Sequence, residues 1–271
     1  VALDQNGDLY LNDYINNYIR KINVSSGLIS SFITQANYSG INSLGGMCVD
    51  NQNNLLIAAP FSHSVLKANL TTSVVTVYAG NGGNGNSGNS GLATNATLGA
   101  PWDVKIKNNG DVFIMDANYD EIRKVNTSGV ISSFYYGTYN VARNLNIDIQ
   151  GNVYVSDSQN NFIQKINSAG SPVASYGNGY DNYSGNGGSA QESDLYRPKE
   201  IHKNKNGDIY FIESNGIAAR RKSTYIVILP AQLHVCPVIH CIGGSGRKIN
   251  RDGLGIGNNS RINIFNRSGY I

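Results

Sequence analysis

Apolar and polar residues alternate in short runs along this chain, and the runs are separated by turns of Asn, Gly, Asp and Ser. Asp111-Val-Phe-Ile-Met115, Glu121-Ile-Arg-Lys-Val125 and Val130-Ile-Ser-Ser-Phe134 are strand-length runs rich in β-branched and aromatic residues and bounded by such turns, which predicts short strands. The runs come in units. Residues 104–134 read VKIKNNGDVFIMDANYDEIRKVNTSGVISSF, and residues 1–32 read VALDQNGDLYLNDYINNYIRKINVSSGLISSF. Further copies begin at Cys48, Ile147 and Ile201. Each unit predicts four antiparallel strands. At its first turn Gly7, Gly110, Gly151 and Gly207 supply the positive φ that a tight hairpin demands, and Asn53-Asn54 stands there in the copy without glycine.

The equivalent turn positions Asn6, Asn53, Asn109, Gln150 and Asn206 lie 47, 56, 41 and 56 residues apart. That spacing fits one four-stranded propeller blade plus a connection of variable length. The longer intervals hold Gly-rich inserts at 79–101 (AGNGGNGNSGNSGLATNATLGAP) and 176–198 (YGNGYDNYSGNGGSAQESDLYRP), and a third version fills 242–266 (IGGSGRKINRDGLGIGNNSRINIFN). The expected fold is all-β: one propeller over residues 1–271 with about five four-stranded blades, at approximately 1–46, 47–100, 101–144, 145–197 and 198–271. A sixth blade, in the irregular segment after Ile217, stays open. Gly269, Tyr270 and Ile271 fill, before Val1, the register of the residues before Val104. Pairing of the chain ends is therefore expected to close the ring and remove its exposed edges.

These units resemble the NHL repeat. That family commonly shows a segment AGxGxxGxSGDGGxATxAxLxxPxGVAVDxxGNxYVADxxNxxIRKV, and residues 79–125 follow it through Ala79-Gly80, Gly91, Ala93-Thr94, Leu98, Pro101, Val104, Gly110 and Ile122-Arg123-Lys124-Val125. The resemblance covers most of the chain to about Ser214 and weakens from Ile217 to Cys241. It implies a propeller of cell-surface or extracellular proteins that mediates protein contacts, and sometimes sugar or nucleic-acid contacts.

Charge narrows that list. Charged residues are 14% of the chain and the net charge is +3, with no Lys/Arg stripe, so nucleic acid is excluded as a partner. No apolar run reaches the roughly 20 residues of a spanning helix, and the most apolar window, Tyr225 to Ile242, is broken by Pro230 and Pro237. The sequence opens at Val1 within a strand pattern, so any targeting segment is expected to have been removed or to lie outside it. A surface carried by neutral Asn, Ser, Gly and Tyr favours an extracellular or cell-surface setting. Among the cysteines, Cys48, Cys236 and Cys241, the latter two suit one hairpin disulfide, or else two small buried apolar residues of a strand pair.

Candidate chemistry is sparse. Asp13, Asp116, Asp157 and Glu213 recur at the end of the second strand, with Ala59 breaking the series. Such carboxylates cap the following turn by accepting backbone N–H bonds, with an axial cation site as the alternative. His63, His202, His234 and His240 fall at unlike repeat positions, which does not suit the three converging imidazoles of a zinc-dependent amidating lyase, a propeller of similar family. His234, Cys236, His240 and Cys241 have a spacing that matches no structural zinc motif. Nucleophile elbow, metalloprotease helix and phosphate loop are lacking, and no pair of carboxylates is singled out for glycoside cleavage. No catalytic residue, cofactor or metal is assigned.

Eight sequons, at Asn23, Asn37, Asn69, Asn95, Asn126, Asn182, Asn258 and Asn266, mostly fall in turns and connections, where a glycan can be accommodated. Tyr38, Tyr135, Tyr136, Tyr139, Tyr180, Tyr183 and Tyr196 are read as lying in connections and forming the interaction surface, since exposed rings favour protein or sugar contacts. The expected function is a non-enzymatic extracellular module for binding or assembly, N-glycosylated and self-associating through its loops into a filament. The partner is a protein or a second copy, with carbohydrate next. The alternative is an axial-pocket enzyme, a metal-dependent lyase of the amidating type or a glycan hydrolase.

Overall fold

The computed structural model describes residues 1–214, apart from 14, 37, 39–42, 183, 186, 187 and 204–207, together with the strand Thr224–Leu229. Those residues form five antiparallel sheets, each a meander in which neighbouring strands are consecutive in sequence. The first holds β1 (Ala2–Leu3), β2 (Leu9–Asp13), β3 (Tyr18–Ile22) and β4 (Ile29–Ile33), and the second β5 (Met47–Val49), β6 (Asn54–Ala59), β7 (Ser64–Asn69) and β8 (Val75–Ala79). In the third are β9 (Pro101–Ile106), β10 (Val112–Asp116), β11 (Glu121–Val125) and β12 (Ile131–Tyr136). The fourth holds β13 (Ala142–Ile147), β14 (Val153–Asp157), β15 (Phe162–Ile166) and β16 (Pro172–Tyr176), and the last β17 (Pro198–Lys203), β18 (Ile209–Ser214) and β19 (Thr224–Leu229). Helix is limited, among the described residues, to two short 3-10 turns, Pro60–Ser62 and Ala93–Asn95.

Turn chemistry sets each first hairpin. Gly7, Gly110 and Gly151 adopt φ of +84°, +93° and +84°, and Asn53 takes the same left-handed place at +61°. A carboxylate ties the loop: Asp4 Oδ1 accepts the N–H of Asn6 and Asp8, and Asp50 Oδ1 that of Gln52 and Asn54. Gly207 lies outside the described residues.

Alternation then packs sheet against sheet. Leu55 and Ile57 of β6 meet Tyr10, Ile19 and Ile33 of the first sheet, whereas Leu56 and Ala58 meet Val104, Val112 and Ile114 of the third. Phe113, Met115 and Ile122 pack on Leu145, Val153 and Val155, and Tyr154 and Ile163 on Ile201, Ile209 and Phe211. β6 is covered on both faces and buried throughout, which is why residues 55–59 form a continuous apolar run without alternation. Each such aliphatic side chain contributes roughly 1.5–3 kcal/mol.

The first strands of successive sheets are neighbours, β1 to β5, β5 to β9, β9 to β13 and β13 to β17. Polar bonds stitch this innermost row. Asn12 donates to the carbonyl of Leu44, and Gly46 N–H donates to Trp102 O at 2.8 Å. A side chain at Gly46 would strike the Asp103 carboxylate, so only glycine lets the two segments approach. Asp103, fully buried, accepts the N–H of Leu145 at 2.9 Å and an N–H of Asn144 at 3.0 Å, and Asn144 Oδ1 accepts from Ile201 N–H at 2.9 Å.

Candidate functional site

Antiparallel meanders give every sheet two ends. Asn/Gly turns cluster at one; the other, the connector face, carries the ends of β2, β6, β10, β14 and β18 and the connections entering the last four sheets. The recurring acids sit on that face and are occupied. Asp116, fully buried, accepts the N–H of Gly99 and Ala100, both at 2.7 Å. Asp157 accepts from Asn140 N–H at 2.9 Å, and Glu213 from Tyr196 N–H at 2.9 Å. Each thus holds the connection that leads into its own sheet. Burial raises all three carboxyls, and those same N–H bonds oppose the rise. Asp13 is lowered instead, first by its bond from Asn16.

Arg123 completes the clamp on residues 81–98. Its fully buried guanidinium donates to Asn89 Oδ1 at 2.9 Å and to the carbonyls of Ser87 and Thr97 at 3.4 Å, with Glu121 at 3.4 Å from Nε.

Beside this clamp the connector face opens into a pocket of about 270 Å³, lined by Pro60, Phe61, His63, Gly99, Ala100, Trp102, Asn118 and Arg143. Three successive sheets build it. The 3-10 turn 60–62 presents Phe61, 61% exposed, whose ring meets Trp102 edge-on with centroids 6.1 Å apart. Arg143, at the start of β13, lays its guanidinium 4.2 Å over the same indole. Among the described residues no hydrogen bond or ion pair engages that guanidinium. His63 is tied through Nδ1 to the Gly99 carbonyl. A mostly apolar wall with one stacked, available cation suits a ring or aliphatic group that carries a carbonyl or carboxylate.

The tyrosines do not assemble as expected. Tyr135 and Tyr136 are strand residues at the end of β12, because the ladder with β11 runs on past Phe134 and pairs them with Ile122 and Glu121. Tyr139 is buried against Tyr135, with centroids 6.3 Å apart, and its hydroxyl has no partner among the described residues. Tyr38 packs half-buried on the first inter-sheet core, and Tyr196 is half-buried beneath the Arg197 guanidinium, 5.7 Å from its ring. Tyr136 and Tyr180 are exposed; Tyr183 lies outside the described residues.

Of the sequon asparagines, Asn95 and Asn182 are exposed. Asn23, Asn69 and Asn126 are half-buried at one repeat position, each accepting backbone N–H bonds that close the β3–β4, β7–β8 or β11–β12 turn. Asn167 closes the equivalent turn without a sequon, so the turn itself demands the asparagine. Asn37, Asn258 and Asn266 lie outside the described residues, as do Cys236, Cys241, His234 and His240. Cys48 is a free thiol, pushed up to about 12 by burial. His202 is exposed on β17. Among the described residues no three His, Cys, Asp or Glu side chains converge on a metal position.

The pocket escaped the sequence reading because its walls come from three units. Its local signal was Pro60-Phe61 where the other units carry a polar turn, and the single Trp directly after Pro101.

Four-stranded meanders stacked face to face, with their first strands side by side, define a β-propeller. The family model of the teneurin NHL domain matches residues 1–148, more than half of the sequence, and the chain belongs to that NHL-repeat propeller family. No curated protein matches it in sequence. Solved structures share its fold alone. A streptogramin B lyase is 17% identical at a TM-score of 0.54, covering 86% of this chain and 82% of that one. A catalytically inactive virginiamycin B lyase from Staphylococcus aureus with quinupristin is 14% identical at 0.54, covering 85% and 68%. Hydrazine synthase from Kuenenia stuttgartiensis is 9% identical at 0.59, covering 85% and 62%. No helix among the described residues is long and apolar enough to cross a membrane.

Proposed function

We propose that this chain is a non-enzymatic extracellular binding and assembly module, a ring of five blades closed by pairing of its ends, which works through the connector face. One observation carries the reading: the Phe61–Trp102–Arg143 pocket, built from three sheets and presenting a stacked cation beside exposed apolar rings. The buried acids of that face hold connections in place, which leaves them poorly suited to proton transfer. Extracellular association of the teneurin NHL domain family, the low charge and the exposed sequons Asn95 and Asn182 support a secreted, glycosylated setting.

The partner is a second copy of the chain. Tyr180-Asp181 stands exposed on the connection 177–197 and offers an aromatic ring beside a carboxylate, the chemistry that the pocket fits. Contacts between unlike patches of identical chains extend into a filament unless they close.

Sedimentation velocity over a concentration series tests this. Wild type grows beyond dimer with concentration, whereas Phe61→Ser and Tyr180→Ser each remain monomeric and, mixed, form dimers only. A dimer plateau in wild type removes the filament and keeps the contact. Wild type that stays monomeric at all concentrations, or variants that assemble like it, overturn the proposal. Intact mass after secretion from eukaryotic cells should exceed 29.2 kDa.

A further inference from the structure

The connection 177–197 carries its exposed residues on a tip closed by one carboxylate. Asp194 Oδ1 accepts from Asn178 Nδ2 at 2.7 Å, and Asp194 Oδ2 accepts from Ser184 Oγ at 2.6 Å, so both ends of the stretch between them are pinned. The first limb is fixed further. Asn178 Nδ2 also donates to the Glu192 carbonyl at 3.0 Å, Asn178 Oδ1 accepts the Tyr180 N–H at 2.9 Å, and Asn161 Nδ2 donates to the Gly179 carbonyl at 3.3 Å. Tyr180, Asp181 and Asn182 stand exposed on this tip, Tyr180 at 67%.

Asn182-Tyr183-Ser184 is a sequon whose acceptor lies two residues from Tyr180, and two residues span at most about 7 Å of chain. No hydrogen bond engages the Asn182 side chain among the described residues. The sequons Asn23, Asn69 and Asn126 close turns between third and fourth strands. In a meander those turns share the end of the Asn/Gly turns, so sugars there point away from the connector face. Asn95 stands four residues before Gly99 and so flanks the pocket, whereas Asn182 flanks the ring that enters it.

We propose that Asn182 is a glycosylation site that caps assembly: a glycan there bars the Tyr180 tip from a neighbour's pocket and leaves the chain's own pocket open. This rests on the contact between copies through Tyr180 and the pocket, and adds its regulation. In the transfer the side-chain nitrogen of Asn182 bonds to the anomeric carbon of a lipid-diphosphate-linked oligosaccharide. The sugar–phosphate bond breaks, the lipid diphosphate leaves, and the amide nitrogen gives up one proton. The pinned tip carries Asn182 in with Tyr180, and a pocket of about 270 Å³ has no room for a bulky, hydrated sugar chain beside the ring. An occupied chain accepts a neighbour but cannot dock on one, so it ends growth. Every head-to-tail filament ends in one chain whose tip is unused, so about one occupied chain in ten holds the mean length to about ten at most.

Sedimentation velocity reads the result on three preparations, each carrying Asn95→Gln so that the effect belongs to Asn182. They are chain made in bacteria without glycans, chain secreted from eukaryotic cells with Asn182 occupancy read by peptide mass spectrometry, and secreted Asn182→Gln. Unglycosylated chain and secreted Asn182→Gln associate as concentration rises. Occupied chain stays monomeric alone and shortens the growing assemblies when added to them. It forms dimers with unglycosylated Phe61→Ser, which keeps its tip, and none with unglycosylated Tyr180→Ser, which lacks one. Unglycosylated chain that remains monomeric removes the contact and the cap together. Where that chain associates, the contact stands, and three results refute the cap alone. These are Asn182 empty in the secreted chain, occupied chain that assembles like the unglycosylated one, and secreted Asn182→Gln that stays monomeric, which assigns the block to another glycan. Occupied chain that fails to pair with Phe61→Ser has lost its pocket as well and overturns the one-sided cap.

Discussion

Asp116→Asn isolates the device that fixes each connection to its sheet. The native carboxylate accepts two N–H groups at 2.7 Å in a fully buried position. Asparagine keeps the shape and one acceptor, and sets its NH2 against the second N–H. A charge-assisted bond is worth roughly 1.5–3 kcal/mol, and an N–H left without an acceptor costs roughly 1–3 kcal/mol. The raised carboxyl shows that the cost of burying the charge outweighs the charge-assisted part of these bonds, so the loss on substitution comes from the N–H left facing an NH2, which a protonated carboxyl, keeping two oxygens, does not impose. The expected net loss is about 2 kcal/mol, or a fall of roughly 4–8 °C in Tm for a chain of this size. Amides of Gly99 and Ala100 should exchange at least tenfold faster, since the local bond energy is theirs. Asp181→Asn, on an exposed connection, serves as control and should stay within about 0.5 kcal/mol. Were Asp116→Asn equally silent by thermal and urea unfolding, with both amides still protected, the anchoring role would be refuted.

Tyr139→Phe should be neutral or stabilise by up to about 1 kcal/mol, because it deletes a buried hydroxyl without a partner among the described residues; a loss above that in urea unfolding would reveal a bond to that hydroxyl. Stability should also depend on pH with a definite sign. Asp116, Asp157 and Glu213 have folded values above their ordinary ones, so the folded state binds protons more tightly than the unfolded chain. Their contribution is full below about 4 and is lost as the pH rises through the folded values, with little change thereafter. Tm measured from pH 7 downward should therefore rise before general acid unfolding sets in, and a steady fall would contradict it. Cys48 should resist thiol reagents at pH 8 in the native state and react on unfolding, as burial raises it to about 12.

The strands and first turns were legible because alternation and Asn/Gly placement act within a few residues. Gly7, Gly110 and Gly151 take the left-handed backbone their turns require, and Asn53 substitutes where glycine is missing. The acids were readable as backbone caps for the same reason, although the amides they accept lie mostly in the preceding connection. Arg123 was visible only as part of a family string, since its partners stand 26, 34 and 36 residues away and no local pattern ties them to it. The pocket and the fate of the tyrosines were hidden more deeply. Trp102, Phe61 and Arg143 meet only once three sheets have stacked, and Tyr139 is buried by tertiary packing that its polar neighbours do not announce.

The face through which the chain works is open to one direct comparison, hydrogen exchange of assembled against monomeric protein. Protection gained at 60–63, 99–102 and 177–182, with the turns at 5–7, 51–53, 108–110 and 149–151 unchanged, is the expected footprint. Protection confined to those turns, with Phe61, Trp102 and Tyr180 as open as before, would place the working surface on the opposite side and contradict the account.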